Sequence, residues 1–163
     1  MKFSRLKWGL KLCVAAALLA AGAGAQSKTP TAQEKANLKL VQDWWKEVIT
    51  FHHVENAAKY ASEDMIQHNP NFPNGLDTLR KLFGGSPVNP MPATLPKERT
   101  PVVEFAKGDY VVMVFEHEDK DPADPSKTYK YNSFDAFRIA NGKIAEHWDG
   151  AMKNAPQAGG KKQ

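Results

Sequence analysis

Two carboxylates and an imidazole lie close together near the C-terminus: Asp135, His147 and Asp149. They lie in Phe134-Asp135-Ala136-Phe137-Arg138-Ile139 and Lys143-Ile144-Ala145-Glu146-His147-Trp148-Asp149, joined by Ala140-Asn141-Gly142. An aspartate and a histidine on one strand face form a proton-transfer set. A base removes a proton alpha to a carbonyl, an acid protonates the resulting alkoxide, and one carboxylate can serve both steps. Asp149 is the expected acid/base, with Asp135 and His147 as a carboxylate–imidazole pair beside it. The alternatives are a turn-capping role for Asp149 and a purely structural hydrogen bond for the pair. His68, ahead of Asn69-Pro70, is expected at the pocket mouth, where it polarises a carbonyl oxygen or simply fixes the turn.

Register decides whether these groups meet. Asn141-Gly142 between two alternating apolar runs is a hairpin signal. The reading adopted is a three-residue loop with Gly142 left-handed. It pairs Ile139 with Lys143, sets Asp135 opposite His147 and puts Ser133, Asp135, Phe137, Ala145, His147 and Asp149 on one face. Phe134, Ile144 and Trp148 then fall on the other. A two-residue loop pairs Ala140 with Lys143 instead and splits Asp135 from Asp149.

The elements around this hairpin read as helices followed by strands. Thr31-Ala32-Gln33-Glu34 matches a capping box and opens an amphipathic helix to about Thr50. A shorter helix from Val54 to Ala61 carries Ala57, Ala58 and Tyr60 inward, and Met65 to His68 is a short extended piece. Leu76 to Phe83 forms a third helix closed by Gly84-Gly85. Pro87, Pro90, Pro92 and Pro96 rule out a regular element before the strands Val102–Ala106, Tyr110–Glu118, Thr128–Ile139 and Lys143–Asp149. This order predicts an α+β fold in which N-terminal helices pack on a curved antiparallel sheet and enclose a cone-shaped pocket.

The first 25 residues read as a secretory signal peptide: Lys2, Arg5, Lys7 and Lys11, an apolar run from Leu12 to Ala20, and a small-residue cleavage site ending at Ala25. The apolar run is too short for a stable span. The mature chain is therefore expected to be periplasmic or secreted and free of the membrane. It comprises a domain over 26–152 and a disordered tail over 153–163. Cleavage removes Cys13, the single cysteine, and with it any disulfide or zinc–thiolate site. It also removes four of 22 basic residues, leaving 18 against 18 acidic ones. No nucleic-acid partner is expected of so balanced a chain. No glycine-rich phosphate loop or Gly-x-Ser-x-Gly elbow occurs. His68, His147 and Asp149 offer a two-histidine, one-carboxylate set, but their spacing is not diagnostic, so neither metal nor cofactor is expected.

Gln67-His68-Asn69-Pro70 after a two-helix start, together with Asp135-x-Phe137-Arg138-Ile139-x-x-Gly142-Lys143-Ile144-x-Glu146-His147-Trp148-Asp149, resembles the SnoaL-like polyketide cyclase family. That family lies within the nuclear transport factor 2-like superfamily, and the resemblance runs from about residue 35 to 150. It implies the cone-shaped fold and cofactor-independent aldol condensation, with an acidic residue of the last strand, here Asp149, as acid/base. The cyclases carry a histidine on the neighbouring strand where this chain has Asp135.

Two functions follow as expectations. The preferred one is an aldol-condensation or proton-transfer enzyme of cyclase or isomerase type acting on a small carbonyl compound. Its substrate is bounded by Trp45, Tyr60, Asn69, Phe115, Tyr131 and Phe137. The other is a secreted ligand-binding or oligomerisation module that uses the pocket without chemistry. Aromatic residues on the outer sheet face predict a homodimer or higher oligomer.

Overall fold

The computed structural model describes residues 29–86, 90–92 and 94–153. The expected signal peptide and nearly all of the expected tail lie outside them. Helix α1 spans Ala32–Trp44 and opens on the expected capping box. The Glu34 backbone N–H donates to Thr31 Oγ1 at 3.1 Å, and the Thr31 N–H donates to Glu34 Oε2 at 2.8 Å. The other Glu34 oxygen accepts from the Gly108 backbone at 3.0 Å, so the helix N-terminus is tied to a hairpin turn seventy-four residues away. These backbone donors, first Gly108 and then Thr31, lower the Glu34 pKa from the ordinary 4.5 to about 2.

The helix continues to Thr50 as a π-helical segment, Trp45–Thr50. Such widened turns re-aim side chains and are frequent at functional sites. Here the segment ends at His52, whose φ of 64° turns the chain sharply, and the His52 ring stacks on Phe83 at 4.9 Å. A 3₁₀ turn, Val54–Asn56, leads into α2, Ala57–Tyr60. Of the three residues expected to face inward from α2, Ala57 is buried and Tyr60 half-buried, but Ala58 is exposed. The element is only one turn long, too short to bury two adjacent positions.

Strand β1, Ala61–Gln67, begins four residues earlier than the sequence reading placed it. It is followed by α3, Leu76–Phe83, β2, Val103–Lys107, β3, Tyr110–Lys120, β4, Thr128–Ala140, and β5, Lys143–Asp149. The sheet is five-stranded in the order β1-β5-β4-β3-β2. It is mixed rather than purely antiparallel, because β1 runs parallel to β5. That edge pairing needs a partner more than seventy residues away, which no local pattern discloses.

The inner sheet face meets the helices. Val41, Trp44 and Val48 pack over Val111, Met113, Phe137, Ile139 and Ile144, all buried. Each such aliphatic side chain contributes about 1.5–3 kcal/mol through burial.

The final hairpin corrects the expected register. Asn141 and Gly142 both adopt left-handed φ, 53° and 71°, giving the tight two-residue turn with Ala140 paired to Lys143. Ile139 then pairs with Ile144, so Ile144 faces the core and not the outer face. The register shifts at the next step, where Arg138 pairs with Glu146 and Ala145 is left over as a bulge. This extra residue flips the rest of β5. Asp135 therefore lies opposite Asp149 and Phe137 opposite His147, and all four side chains share the inner face.

Candidate functional site

Between α1, its π-helical extension, α3 and the inner sheet face lies a cavity of about 190 Å³. Its wall is largely aromatic and aliphatic, including Trp44, Ile49, Leu79 and Phe83. The polar exceptions are Gln67, Thr78, Asp135 and His147. Three of these form one hydrogen-bonded chain. Asp135 Oδ1 lies 3.0 Å from His147 Nε2, and Gln67 Oε1 lies 2.8 Å from His147 Nδ1. Asp135 and His147 are each 15% exposed. The imidazole is also stacked on Phe137 at 4.9 Å, which fixes its plane.

Strand pairing builds this chain. β1 pairs with β5 so that Gln67 is next to His147, and the Phe137–His147 pair sets the ring within reach of Asp135 two residues back along β4. Both imidazole nitrogens face oxygens. With the Gln67 amide in this orientation both must donate, which is the imidazolium form; rotating the amide gives the neutral tautomer that donates only to Asp135. In either state no ring nitrogen is left for a ligand. Asp135 Oδ2 is different, because no described group donates to it.

Asp149 shares the face but not the chain. Its Oδ2 accepts from Asn69 Nδ2 at 2.7 Å and its Oδ1 from the Ala151 backbone at 3.0 Å. Both oxygens are engaged in holding the turn after β5, the alternative role considered for this residue. Asn69, 1% exposed, is in turn held by Asn71, whose backbone N–H donates to Asn69 Oδ1 at 2.9 Å.

His68 is not at the pocket mouth. Alternation along β1 sends Gln67 inward and His68 outward. On the outer face the His68 ring stacks on Trp148 at 4.3 Å and pairs with Glu146 at 2.8 Å. Arg138 holds the same carboxylate. His68 and then Arg138 keep the Glu146 carboxyl below its ordinary range. His68 and His147 thus occupy opposite faces of the sheet, and the described residues contain no cluster of three or more groups able to hold a metal ion.

The residues expected to bind substrate divide as well. Phe137 lines the cavity, Trp45 lines it and a neighbouring one, and Phe115 lines the neighbour. Trp45 stacks on Phe115 at 4.5 Å and its indole N–H donates to the Arg99 carbonyl at 3.0 Å, so this partition is fixed. Asn69 acts on Asp149. Tyr60 and Tyr131 line neither cavity: the Tyr60 hydroxyl is bound by Glu47, and Tyr131 stacks on His117. Burial, reinforced by Glu47, pushes the Tyr60 phenol up. Gln67 is the site residue the sequence reading passed over. Its signal is the period-two alternation from the buried Met65.

Comparison with known proteins agrees with this architecture. The SnoaL-like domain family matches residues 41–147. A protein from Jannaschia sp. CCS1 named a "putative SnoaL-like polyketide cyclase" superposes with a TM-score of 0.50 at 15% identity, covering 80% of this chain and all of its own (100%). An NTF2-like protein of unknown function from Mesorhizobium loti gives 0.49 at 15% identity, with coverage of 74% and 94%. An LEH-like epoxide hydrolase of M. tuberculosis gives 0.47 at 11% identity, with coverage of 72% and 83%. The first of these likenesses shows fold alone. No curated protein matches the chain.

Proposed function

Because the chain belongs to the SnoaL-like domain family, with helices on a curved sheet around a pocket, we propose that it is a cofactor-independent proton-transfer enzyme acting on a small carbonyl compound, with Asp135 as acid/base. One observation carries this reading: of the two aspartates on the inner face, only Asp135 keeps an oxygen free of donors among the described residues and lines the apolar cavity. The carboxylate takes a proton alpha to the carbonyl. The C–H bond breaks, an O–H bond forms on Asp135 Oδ2, and the electron pair moves onto the carbonyl oxygen. The same carboxyl returns the proton to carbon in an isomerisation, or to the new alkoxide in an aldol condensation. His147, oriented by Gln67 and Phe137, donates to Asp135 Oδ1 and fixes the carboxylate. His147 and Gln67 are positioning residues.

The test is solvent-deuterium incorporation, followed by NMR, into a panel of ketones, aldehydes and β-keto esters. Wild type should exchange alpha protons and Asp135→Asn should not. Exchange at the wild-type rate in Asp135→Asn would sink the assignment. A second reading, a ligand-binding module, is favoured by the nearly apolar wall of the cavity; it predicts saturable binding with no exchange in any variant. In either case the outer sheet face, where Val103, Phe105, Tyr110 and Phe134 are each about half exposed, suits burial against a second copy of the chain. The leader-like N-terminus suits export.

A further inference from the structure

A second cavity, of about 320 Å³, opens on the other side of Asp135. Asp135 and Trp45 line both, so the carboxylate stands at the junction of two chambers with different chemistry. In the second chamber the Ser133 hydroxyl is held 2.7 Å from His117 Nε2. A hydroxyl has one donor and two acceptor positions, so Ser133 keeps hydrogen-bonding capacity after meeting His117. The charged lining consists of Glu98, Asp135 and Asp149 against Arg99.

We infer that the ligand is a two-armed ketone: an apolar arm of about one ring fills the first chamber, a neutral hydroxyl-bearing arm bonds Ser133 in the second, and the carbonyl lies between them at Asp135. Size sets the first arm. A dry cavity of about 150 Å³ accepts benzene, and this one is slightly larger at about 190 Å³. Charge sets the second arm. Three carboxylates against one guanidinium repel a carboxylate-bearing ligand. An ammonium meets little pull apart from the reacting carboxylate, since each Asp149 oxygen already accepts from a protein donor and Glu98 is exposed, where solvent screens its charge. A hydroxyl suits what remains. The placement of the carbonyl rests on the reading of Asp135 as the base; the two-chamber division of the ligand does not.

Three ketones that share a phenethyl arm separate the possibilities by titration calorimetry. They are benzylacetone, the hydroxymethyl ketone in which its methyl carries a hydroxyl, and the α-keto acid in which that methyl is a carboxylate. The hydroxymethyl ketone should bind about tenfold tighter than either of the others. Ser133→Ala should remove its advantage over benzylacetone while leaving benzylacetone unaffected. Leu82→Trp, on the exposed rim of the first chamber, should weaken all three. Equal or tighter binding of the α-keto acid, an undiminished hydroxyl advantage in Ser133→Ala, or binding of none of the three would overturn the inference. Deuterium exchange on the same samples separates it from the catalytic reading. The expected affinity order without exchange removes Asp135 as a base and leaves the two-armed ligand standing; exchange without hydroxyl preference does the reverse.

Discussion

Asp135 and Asp149 are direct cross-strand partners on β4 and β5, yet their carboxylates have unlike surroundings. Like charges directly opposite on one sheet face are unfavourable. Each is offset separately here, Asp149 by Asn69 and the Ala151 backbone, Asp135 by His147. Each Asp149 oxygen already accepts from a protein donor. The single donor to Asp135 leaves its other oxygen without one, and on the proposed reading that asymmetry divides a structural aspartate from the acid/base.

The two aspartates should therefore respond differently to the same substitution. Asp135→Asn should reduce exchange by about 10²–10⁴-fold, the usual contribution of a positioned acid/base, with little change in stability. Asp149→Asn should retain most exchange but lose stability. Its new amide meets the Asn69 amide, and Asn69 cannot rotate without giving up the Asn71 N–H. A buried donor left unpaired costs about 1–3 kcal/mol. Denaturant unfolding and exchange rates on both variants check the pair; loss of exchange only in Asp149→Asn would reverse the assignment.

Glycine substitutions test the turn that sets the register. Gly142→Ala should destabilise by about 1–2 kcal/mol, since its φ of 71° is left-handed while an added Cβ meets no atom within 4 Å. Strain alone accounts for the loss. Gly85→Ala is the control. It has equal space and no positive φ, so its thermal unfolding should match or slightly exceed that of the wild type.

Much of this architecture is legible locally. The Thr31 capping box, the limits of α3 and those of β5 follow from the sequence, because caps, glycines and Asn-Gly act on their immediate neighbours. The bulge at Ala145 does not, because Ile144-Ala145-Glu146 carries no glycine or proline to mark it. Two departures therefore compensate. The turn is tighter than expected, and the bulge restores the shared face of Asp135, His147 and Asp149. The placement of His68 fails for another reason: its chemistry suggested a pocket residue, whereas strand alternation assigns that position to Gln67. Asn69 sits in an Asn-Pro turn, and its partner is eighty residues away.

A single charge on the exposed sheet should expose any self-association. If the outer face buries a second copy, Phe105→Glu places a carboxylate in that interface and should convert a dimer to a monomer in light scattering after size exclusion. Deuterium exchange should survive, since Phe105 is exposed on the outer face and lines neither cavity. An unchanged mass would remove this face as the interface.

Acid should loosen the attachment of α1 to the sheet before it unfolds the rest. Glu34 is buried at the helix start, where its carboxylate accepts from Gly108 and Thr31 and lies 3.3 Å from Lys107 Nζ. Its folded pKa of about 2 lies below the ordinary 4.5. A depressed folded value means that the unfolded chain binds the proton first, so the stabilisation is complete above about 4.5 and is lost as pH falls toward 2. Glu34→Gln cannot titrate and keeps an oxygen for one donor. Its melting temperature should fall below that of wild type at pH 7, and the gap should close as pH drops through that window. Amide hydrogen exchange should show the first turn of α1 and the Gly108 turn losing protection together in wild type at low pH. A gap between the two proteins that stays constant from pH 7 down to pH 2 would remove Glu34 as the acid-sensitive tie.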